Sequence, residues 1–485
     1  MILSQLIGNL PTIKVKGVTD IEVLHLTYDS RTVTIGSIFF AVEGVVVDGH
    51  NFIGKAVEGG AKVVVCQHIP GEVAESDCTF VVVEDTNTAM GIIASNFYGN
   101  PSHELKVVGV TGTNGKTTIA TLLYDLVQSM GHKVGLISTV VYKVGTKEIA
   151  STHTTPDAIR LNAMMREMVD EGCEYCFMEC SSHAIVQQRI GGLRFVGGLF
   201  TNITHEHLDY HKTFAEYIRA KKAFFDALPK SAFALVNADD RNGEVMLQNT
   251  KASRYTLSLQ RMADFRAKVI EMMVEGMELR IDNREVWVQF LGRFNAYNLL
   301  TVYGAAVLLG FDKEEVLAHL SMLRPVSGRF ETVVAKDGTT AVVDFAHTPD
   351  ALENIINTID ELRTDGQRLL VVCGCGGDRD KSKRPVMGGM AAKRADVAIF
   401  TSDNPRTEEP EQILREMEEG VEVGNKYLKI TDRHEAIKTA VMLAEPRDII
   451  LLAGKGHEDY QIIGTEKHPF NDKAVVKEWF EKFGR

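Results

Sequence analysis

Disulfide pairs, excess basic charge, long apolar runs and internal repeats are all missing from this 485-residue chain. Its seven cysteines are odd in number and scattered, which fits reduced thiols rather than a disulfide framework. Cys173 and Cys176 form a lone C-x-x-C with Cys180 after it. No second pair completes a zinc set, so core packing is expected, and Cys373 and Cys375 are not metal-spaced. Lys and Arg number 53 against 65 Asp and Glu, a net charge of −12. That balance disfavours nucleic acid and anionic membranes as partners, and any anionic substrate must be met by local basic residues. No apolar run approaches about 18 residues, so no membrane insertion is expected. The opening MILSQLIGNLPTIK lacks a basic n-region and a small-residue cleavage site, which makes cytoplasm the expected compartment. What remains is ordinary globular composition, 45% hydrophobic and 24% charged, in a length that suggests about three domains.

The chain is organised around residues 105–118, LKVVGVTGTNGKTT. A short apolar strand over 107–110 runs into a tight glycine turn and then a helix, whose Ile119, Leu122, Leu123, Leu126, Val127 and Met130 recur at helical spacing. Gly112 and Gly115 let the backbone fold around a phosphate, and Lys116 supplies a point charge. Thr117 offers a hydroxyl for magnesium, and the helix N-terminus favours anions. The strict Walker pattern asks for glycine five places before Gly115, where Val110 stands. This is therefore a shortened phosphate loop, and nucleotide binding is expected over an ordinary glycine-rich turn.

Residues 1–101 read as a small α/β unit. Its Tyr28-Asp29-Ser30-Arg31 turn is either part of a simple capping domain or a place where Ser30 and Arg31 hold a phosphate or a carbohydrate-linked group. Residues 102–325 alternate strands and helices, the pattern of a mostly parallel sheet covered on both faces, with an antiparallel insert or strand-rich edge over 254–291. Chemistry in such sheets gathers at the carboxyl ends of strands, and the polar clusters fall there. Thr154-Thr155-Pro156 precedes a helix, Glu179 to His183 closes one strand, and Thr201 to His211 closes another. Glu179 and His207 are expected on neighbouring strand ends beside the phosphate loop, where a carboxylate and an imidazole suit a divalent metal, unless these are only caps and polar loops. His205-Glu206-His207 is not the zinc-protease H-E-x-x-H, because Asp209 stands four places after His205.

Lys221 breaks a pattern. The helix over 214–228 has an apolar stripe at Phe214, Tyr217, Ile218, Phe224, Phe225 and Leu228, and Lys221 lies on it. It is either buried, with a depressed pKa and a functional role, or it snorkels to the surface. Asn295 and Asn298 open the next helix as caps or ligand contacts. Residues 326–485 form another βα run whose strand ends carry Asp344 to Pro349, Gly374 to Arg384, Ser402 to Arg406 and Gly454 to Glu458. Arg379 and Arg406 with Asp403 and Glu458 suit a zwitterionic ligand, arginine for a carboxylate and acids for an ammonium.

In this order the motifs TGTNGKTT (111–118), TTPD (154–157), ECSSHAIVQQR (179–189), HLDYH (207–211), LVNADD (235–240), GRFNAYN (292–298), SGRFE (327–331), DFAHTPD (344–350), CGGDRDKSKRP (375–385) and GKGHEDYQ (454–461) cover nearly the whole chain. They resemble the Mur ligase family, and within it the branch that adds the third residue of the wall peptide. The resemblance implies an α/β fold of three domains: a small N-terminal domain for the UDP end of the substrate, a central parallel-sheet P-loop ATPase, and a Rossmann-like C-terminal domain that brings the amino acid. It implies ATP-dependent phosphorylation of the D-glutamate carboxylate of UDP-MurNAc-L-Ala-D-Glu, then attack of an amine on the acyl phosphate. The implied cofactors are ATP and two Mg²⁺ ions, with N6-carboxylysine at Lys221, in a monomer.

Carried onto matching positions, Gly112, Thr113, Asn114, Gly115, Lys116, Thr117 and Thr118 hold nucleotide phosphates, with Asn298, Arg329 and Asp344 on the adenine and ribose side. Lys116, Glu179, His207 and Lys221 carry the catalysis. The metal set is Thr117, Glu179, His207 and Lys221. Ser30 matches the uridine contact, and Thr154, Thr155, Ser181, Gln187 and Arg189 match the muramoyl-dipeptide contacts. Arg379, Asp403, Asn404, Pro405, Arg406, Gly454 and Glu458 match the third-residue pocket. The Asp403–Arg406 box is written with arginine, which implies meso-diaminopimelate over L-lysine, because lysine lacks the distal carboxylate. Val45-Val46-Val47 replaces a more polar segment near the uridine pocket. The rivals are other amide ligases of the superfamily and a nucleotide-gated binding protein without turnover, which would have no need of Lys221, Glu179 and His207.

Overall fold

Runs such as 107–110 and 369–373 are apolar on both sides of the backbone. Strands of that kind cannot face water, and they form parallel sheets covered by helices on both faces. The computed structural model describes residues 1–44, 47–273 and 275–485, and of Asp209 only the backbone. Val45 and Val46, which belong to the apolar segment expected near the uridine pocket, lie outside the described residues.

Three large sheets, and a two-stranded one that pairs Tyr460–Ile463 with Glu466–Pro469, carry the described residues. The first is five-stranded and lies within residues 14–82, the second is eleven-stranded over 106–288, and the third is six-stranded over 331–453. At the centre of the second sheet is β1 (Lys106–Thr111), which runs through the phosphate loop into α1 (Lys116–Ser129). On one side β1 pairs in parallel with β2 (Tyr175–Glu179), and on the other with β3 (Phe195–Phe200). The register sets Glu179 level with Val110, and Phe200 level with Thr111. The ends of β2 and β3 thus open on the phosphate loop, although β1 separates them, so Glu179 and His207 are not on adjacent strands as expected. They face each other across the loop.

Helices cover both faces. The α1 stripe, Ile119, Leu122, Leu123, Leu126 and Val127, is fully buried beside the helix Arg293–Leu308. Each buried leucine there contributes about 2 kcal/mol of apolar burial. The opposite face packs the helix Ala158–Asp170 and α2 (Phe214–Asp226), the latter through Tyr217, Phe224 and Phe225. Of the two readings of 254–291, the strand-rich edge describes Ser253–Ser258, which extends the parallel sheet, and the antiparallel pairing begins at Ala267.

The third sheet holds β4 (Thr340–Asp344), β5 (Leu369–Cys373), β6 (Val397–Phe400) and β7 (Ile449–Ala453), all parallel, in the order β4-β7-β5-β6. Between β5 and β6 lies α3 (Lys383–Arg394), and α4 (Pro410–Glu418) follows β6. The polar stretch expected after β5 ends at Arg384, and no helix is expected beyond it; Pro385, Gly388 and Gly389 are indeed poor helix formers. Packing decides the matter: a Cβ on Gly388 would come 2.1 Å from the Met417 carbonyl, so the glycine lets α3 and α4 touch through their backbones. The terminal helix Asp472–Lys482 is held by a fully buried ion pair, Arg433 Nη2 to Asp472 Oδ2 at 2.7 Å. All seven cysteines are unpaired and buried.

Candidate active site

The phosphate loop is shaped by glycines that no other residue replaces. A Cβ on Gly112 (φ +151°) would sit 1.9 Å from Thr201 Oγ1, and one on Gly115 (φ +88°) 2.6 Å from Asn298 Oδ1. Thr201 in turn donates to the Asn114 carbonyl at 2.6 Å, which fastens the loop to the end of β3. Two lysines converge beneath it. Lys116 Nζ donates to the carbonyls of Gly112 (2.9 Å) and Thr113 (2.7 Å), and Lys221 Nζ donates to the same Gly112 carbonyl at 2.7 Å.

Lys221 is 1% exposed, which settles the choice between burial and snorkelling. Burial holds its ammonium well below the ordinary lysine range, and the charge of Lys116 lowers it further, against the pull of Glu206. Lys116 is lowered by burial too, but Glu179 and Glu206 oppose the shift. Burial thus lowers both amines, and Glu206 opposes the shift at each.

Glu179 is 1% exposed and accepts the Thr139 N–H at 2.7 Å. Its carbonyl accepts the Thr155 hydroxyl at 2.7 Å, and Thr155 Oγ1 accepts the Ser181 N–H. Arg189 donates to the Thr155 carbonyl at 2.8 Å and, through Nε and Nη2, to Gln187 Oε1. Thr139 links this group to Thr154. Ser181 also caps the helix Ser182–Val186, so its hydroxyl has a structural duty. His207 stands in the left-handed region at φ +57°, and burial depresses its imidazole to about 4, which leaves a neutral ring at pH 7.

One cavity of about 820 Å³ joins these parts to the C-terminal sheet. Its lining includes Lys116, Glu179, Arg189, Lys221, Arg329 and Arg406. At the far end Arg379 and Arg406 stand close enough for Arg379 to lower the pKa of Arg406, behind burial as the larger cause. Gly454 (φ +116°) permits the approach of Asp403, whose Oδ2 would be 2.7 Å from a Cβ there. Asn404 donates to Glu458 Oε2 at 2.8 Å. On the nucleotide side, Arg329 Nη2 donates to Thr117 Oγ1 at 3.3 Å and its guanidinium lies 4.6 Å from the centre of the Phe345 ring. Asp344 accepts the Phe330 N–H at 2.7 Å. A smaller cavity of about 260 Å³ opens beside Asn295, Arg329 and Phe330. Among the described residues no group of three or more His, Cys, Asp or Glu side chains is arranged to hold a metal.

Three family models match the chain: the Mur ligase middle domain over residues 110–306, the Mur ligase glutamate ligase domain over 328–456, and the Mur ligase family catalytic domain over 22–98. The chain is 53% identical over 487 residues, 100% of each sequence, to the UDP-N-acetylmuramoyl-L-alanyl-D-glutamate–2,6-diaminopimelate ligase of Cytophaga hutchinsonii. It belongs to the Mur ligase family. The Parabacteroides distasonis protein of the same name is 54% identical over 482 residues, 99% of both chains. A solved structure titled with that ligase name superposes with a TM-score of 0.71 at 29% identity, covering 100% of this chain and 99% of the other. A MurF from Acinetobacter baumannii shares the fold at 17% identity, with a TM-score of 0.66 over 99% and 98% of the two chains.

In this Mur ligase Ser30 stands apart from the large cavity, in the N-terminal unit, and Arg31 is engaged with Asp29 in a two-pronged pair rather than free for a ligand. The neighbouring Tyr28 nonetheless feels the charges of Asp157 and Arg189, which places the turn near the Thr155–Arg189 network. Asn298, Asp344, Gln187 and Pro405 back the cavity without lining it. Sequence reading missed Glu206, whose Oε1 lies 3.3 Å from His347 Nε2 and joins the central sheet's loops to the C-terminal ones. Despite its burial, His347, His207 and Lys116 hold its carboxyl well below the usual range. It also missed Lys455, wholly buried between Asn404 (3.2 Å) and Glu458 (3.0 Å). Each stood inside a quoted motif, and the signal was a charge flanked by glycine or histidine at a strand end.

Proposed function

We propose that this Mur ligase uses ATP to join meso-diaminopimelate to the D-glutamate of UDP-N-acetylmuramoyl-L-alanyl-D-glutamate, in peptidoglycan precursor synthesis. The observation that carries the reading is the single cavity in which the phosphate loop, the Thr155–Glu179–Arg189 network and the Asp403–Arg406 pocket meet. The names of full-length relatives support the choice of substrates.

The acceptor carboxylate takes the terminal phosphoryl group of ATP. The amine then adds to the acyl phosphate carbon, the C–O bond to phosphate breaks, and the ammonium proton is lost as the amide forms. Backbone N–H groups of residues 112–118 and the Lys116 ammonium meet the negative charge that grows on the phosphoryl oxygens. Asn298, Arg329 and Asp344 hold the nucleoside end. Ser30 takes the uridine end, and Thr154, Thr155, Ser181, Gln187 and Arg189 orient the muramoyl dipeptide. Arg379 and Arg406 bind the distal carboxylate of diaminopimelate, while Asp403, Glu458 and the backbone at Gly454 meet its ammonium.

The Glu179 carboxylate and the Thr117 hydroxyl are oxygen donors that fit magnesium, the neutral His207 nitrogen would be a softer third donor, and two ions are the expected number. Bound magnesium supplies positive charge beside the reacting oxygens. Lys221 as an amine does not belong in that set. As N6-carboxylysine it would offer carboxylate-like oxygens, and the buried neutral amine is the form that combines with CO₂. The domains divide at 101/102 and 325/326, and the chain works as a cytoplasmic monomer. Among the described residues no helix is long and apolar enough to cross a membrane.

Phosphate release with ATP, Mg²⁺ and UDP-MurNAc-L-Ala-D-Glu tests the reading when meso-diaminopimelate, L-lysine and D-alanyl-D-alanine are supplied separately and product mass is read in parallel. Turnover with diaminopimelate alone is expected. Turnover with lysine instead would sink the role given to Arg406, and no turnover with any amine would sink the reaction.

A further inference from the structure

The two pocket arginines sit on separate loops. Arg379 lies on residues 374–382 after β5, and Arg406 on residues 401–409 after β6. Behind both, on the first turn of α3 and outside the cavity lining, is Arg384, one of the largest wholly buried side chains of the protein. Its guanidinium donates to both oxygens of Glu408 at 2.9 Å, to Glu416 Oε2 at 2.5 Å and to the Gly376 carbonyl at 3.1 Å. Glu408 then reaches back to the first loop: it accepts the Asp378 N–H at 2.6 Å and lies 3.1 Å from Lys381 Nζ.

The loops are stitched a second time near the pocket. Asp378, at φ +53°, accepts from the N–H and the hydroxyl of Thr407. Arg406, at φ +51°, donates to the Gly377 carbonyl at 2.8 Å. Both strained residues are neighbours of a pocket arginine in sequence or are one, so the network fixes backbone conformations that non-glycine residues rarely hold.

Buried ion networks seldom stabilise a fold more than apolar packing of the same volume would. Stability alone therefore gives no reason for a guanidinium buried between two carboxylates at this point. We infer that Arg384 and Glu408 are positioning residues that set the spacing of Arg379 and Arg406, and with it the pocket's preference for an amine bearing a distal carboxylate. The inference rests on the diaminopimelate reading above. Arg384 touches no substrate; it acts through Glu408 and the Gly376 carbonyl on the first loop, and through Glu408 on the second.

Glu408 and Glu416 provide an internal control, because each removes one carboxylate from Arg384 but only Glu408 is bonded to the first loop. Steady-state kinetics of the full chain with each substrate varied in turn should show Glu408→Gln raising KM for diaminopimelate about tenfold or more. Its KM for ATP and for UDP-MurNAc-L-Ala-D-Glu should stay within about twofold, and the ratio of kcat/KM for diaminopimelate over L-lysine should fall. Glu416→Gln should move the diaminopimelate KM by less than about threefold. Arg384→Lys, which keeps the charge but loses the fork, should behave like Glu408→Gln. Equal effects of the two glutamate variants, or a loss shared evenly among all three substrates, would overturn the positioning role. Wild-type protein that does not turn over diaminopimelate would overturn the pocket reading, and the inference with it.

Discussion

The phosphate loop and the proposed amino-acid pocket both gather cations on a cavity wall, and they do so by different means. At the phosphate loop both lysines are held by backbone carbonyls, Gly112 and Thr113, and the loop's shape is dictated by two glycines and the register of β1 with its neighbours. In the pocket the Arg406 guanidinium also rests on a backbone carbonyl, that of Gly377, but the two loops that carry Arg379 and Arg406 are tied together by side chains, through Asp378, Glu408 and Arg384. The phosphate loop itself is written in consecutive residues, although Thr201 and Lys221 reach it from far along the chain. The pocket has no such continuous stretch, and its residues lie up to about eighty positions apart, as Gly376 and Glu458 do.

The sharpest way to break the comparison is at the lysines. Lys116→Met should lower kcat by about a thousandfold, since removal of one preorganised charge at a developing anion costs about 3–4 kcal/mol. Lys221→Met should lose as much, although its amine is not the charged partner, because the loss falls on the carboxylated form. Intact-mass analysis of wild-type protein prepared with bicarbonate checks that form: an added carboxyl group absent from Lys221→Met is expected. Retention of full activity in Lys221→Met would remove the lysine from the reaction.

At the other end of the cavity Arg406→Lys should raise KM for diaminopimelate by about ten- to a hundredfold and leave KM for ATP unchanged, as a point charge replaces a two-pronged donor. If KM for ATP rose equally, the two ends of the cavity would not be separable, and the contrast drawn above would fail.

A smaller effect is expected where the regions meet. Glu206 faces His347 across the gap between the sheets, and Asn114 Nδ2 donates to Asp350 Oδ2 at 2.8 Å beside it. Glu206→Gln should lower kcat by about three- to tenfold with little change in either KM, because the carboxylate helps hold the two halves of the cavity together without serving one substrate. A change confined to KM for ATP would instead tie Glu206 to the phosphate loop alone.

How much of this could be read in the residues follows the same divide. The β1 strand, the loop and the α1 stripe were legible to within a residue or two, because a two-sided apolar run, a glycine pair and a helical stripe are local signals. Lys221 was legible as an anomaly, a charge on an apolar stripe, but whether it was buried depended on α2 packing against the sheet. The position of Glu179 and His207 on either side of β1 was not legible, since strand order is set by crossovers rather than by neighbours in sequence. Arg384 was the hardest: its helix carries a proline and two glycines, and its partners Glu408 and Glu416 lie on another element.

The least effect, and the most selective, concerns pH. The Arg384 fork is the main cause that holds the Glu408 carboxyl down at about 2, from an ordinary 4.5. A carboxyl depressed on folding stabilises the native state fully above its unfolded value and loses that contribution as pH falls through its folded value. The gap in unfolding temperature between wild type and Glu408→Gln should therefore be constant from pH 7 to about 5, narrow from there, and close near pH 2. Scanning calorimetry over that range reads it directly. Among the described residues no carboxylate holds Lys116 in a side-chain fork, but its charge is one of the smaller causes that hold Glu206 down, so Lys116→Met should narrow the gap less than Glu408→Gln does. If it narrowed in step with Glu408→Gln, the acid transition would belong to the whole chain, and the distinction between a backbone-built and a side-chain-built site would have no titration signature.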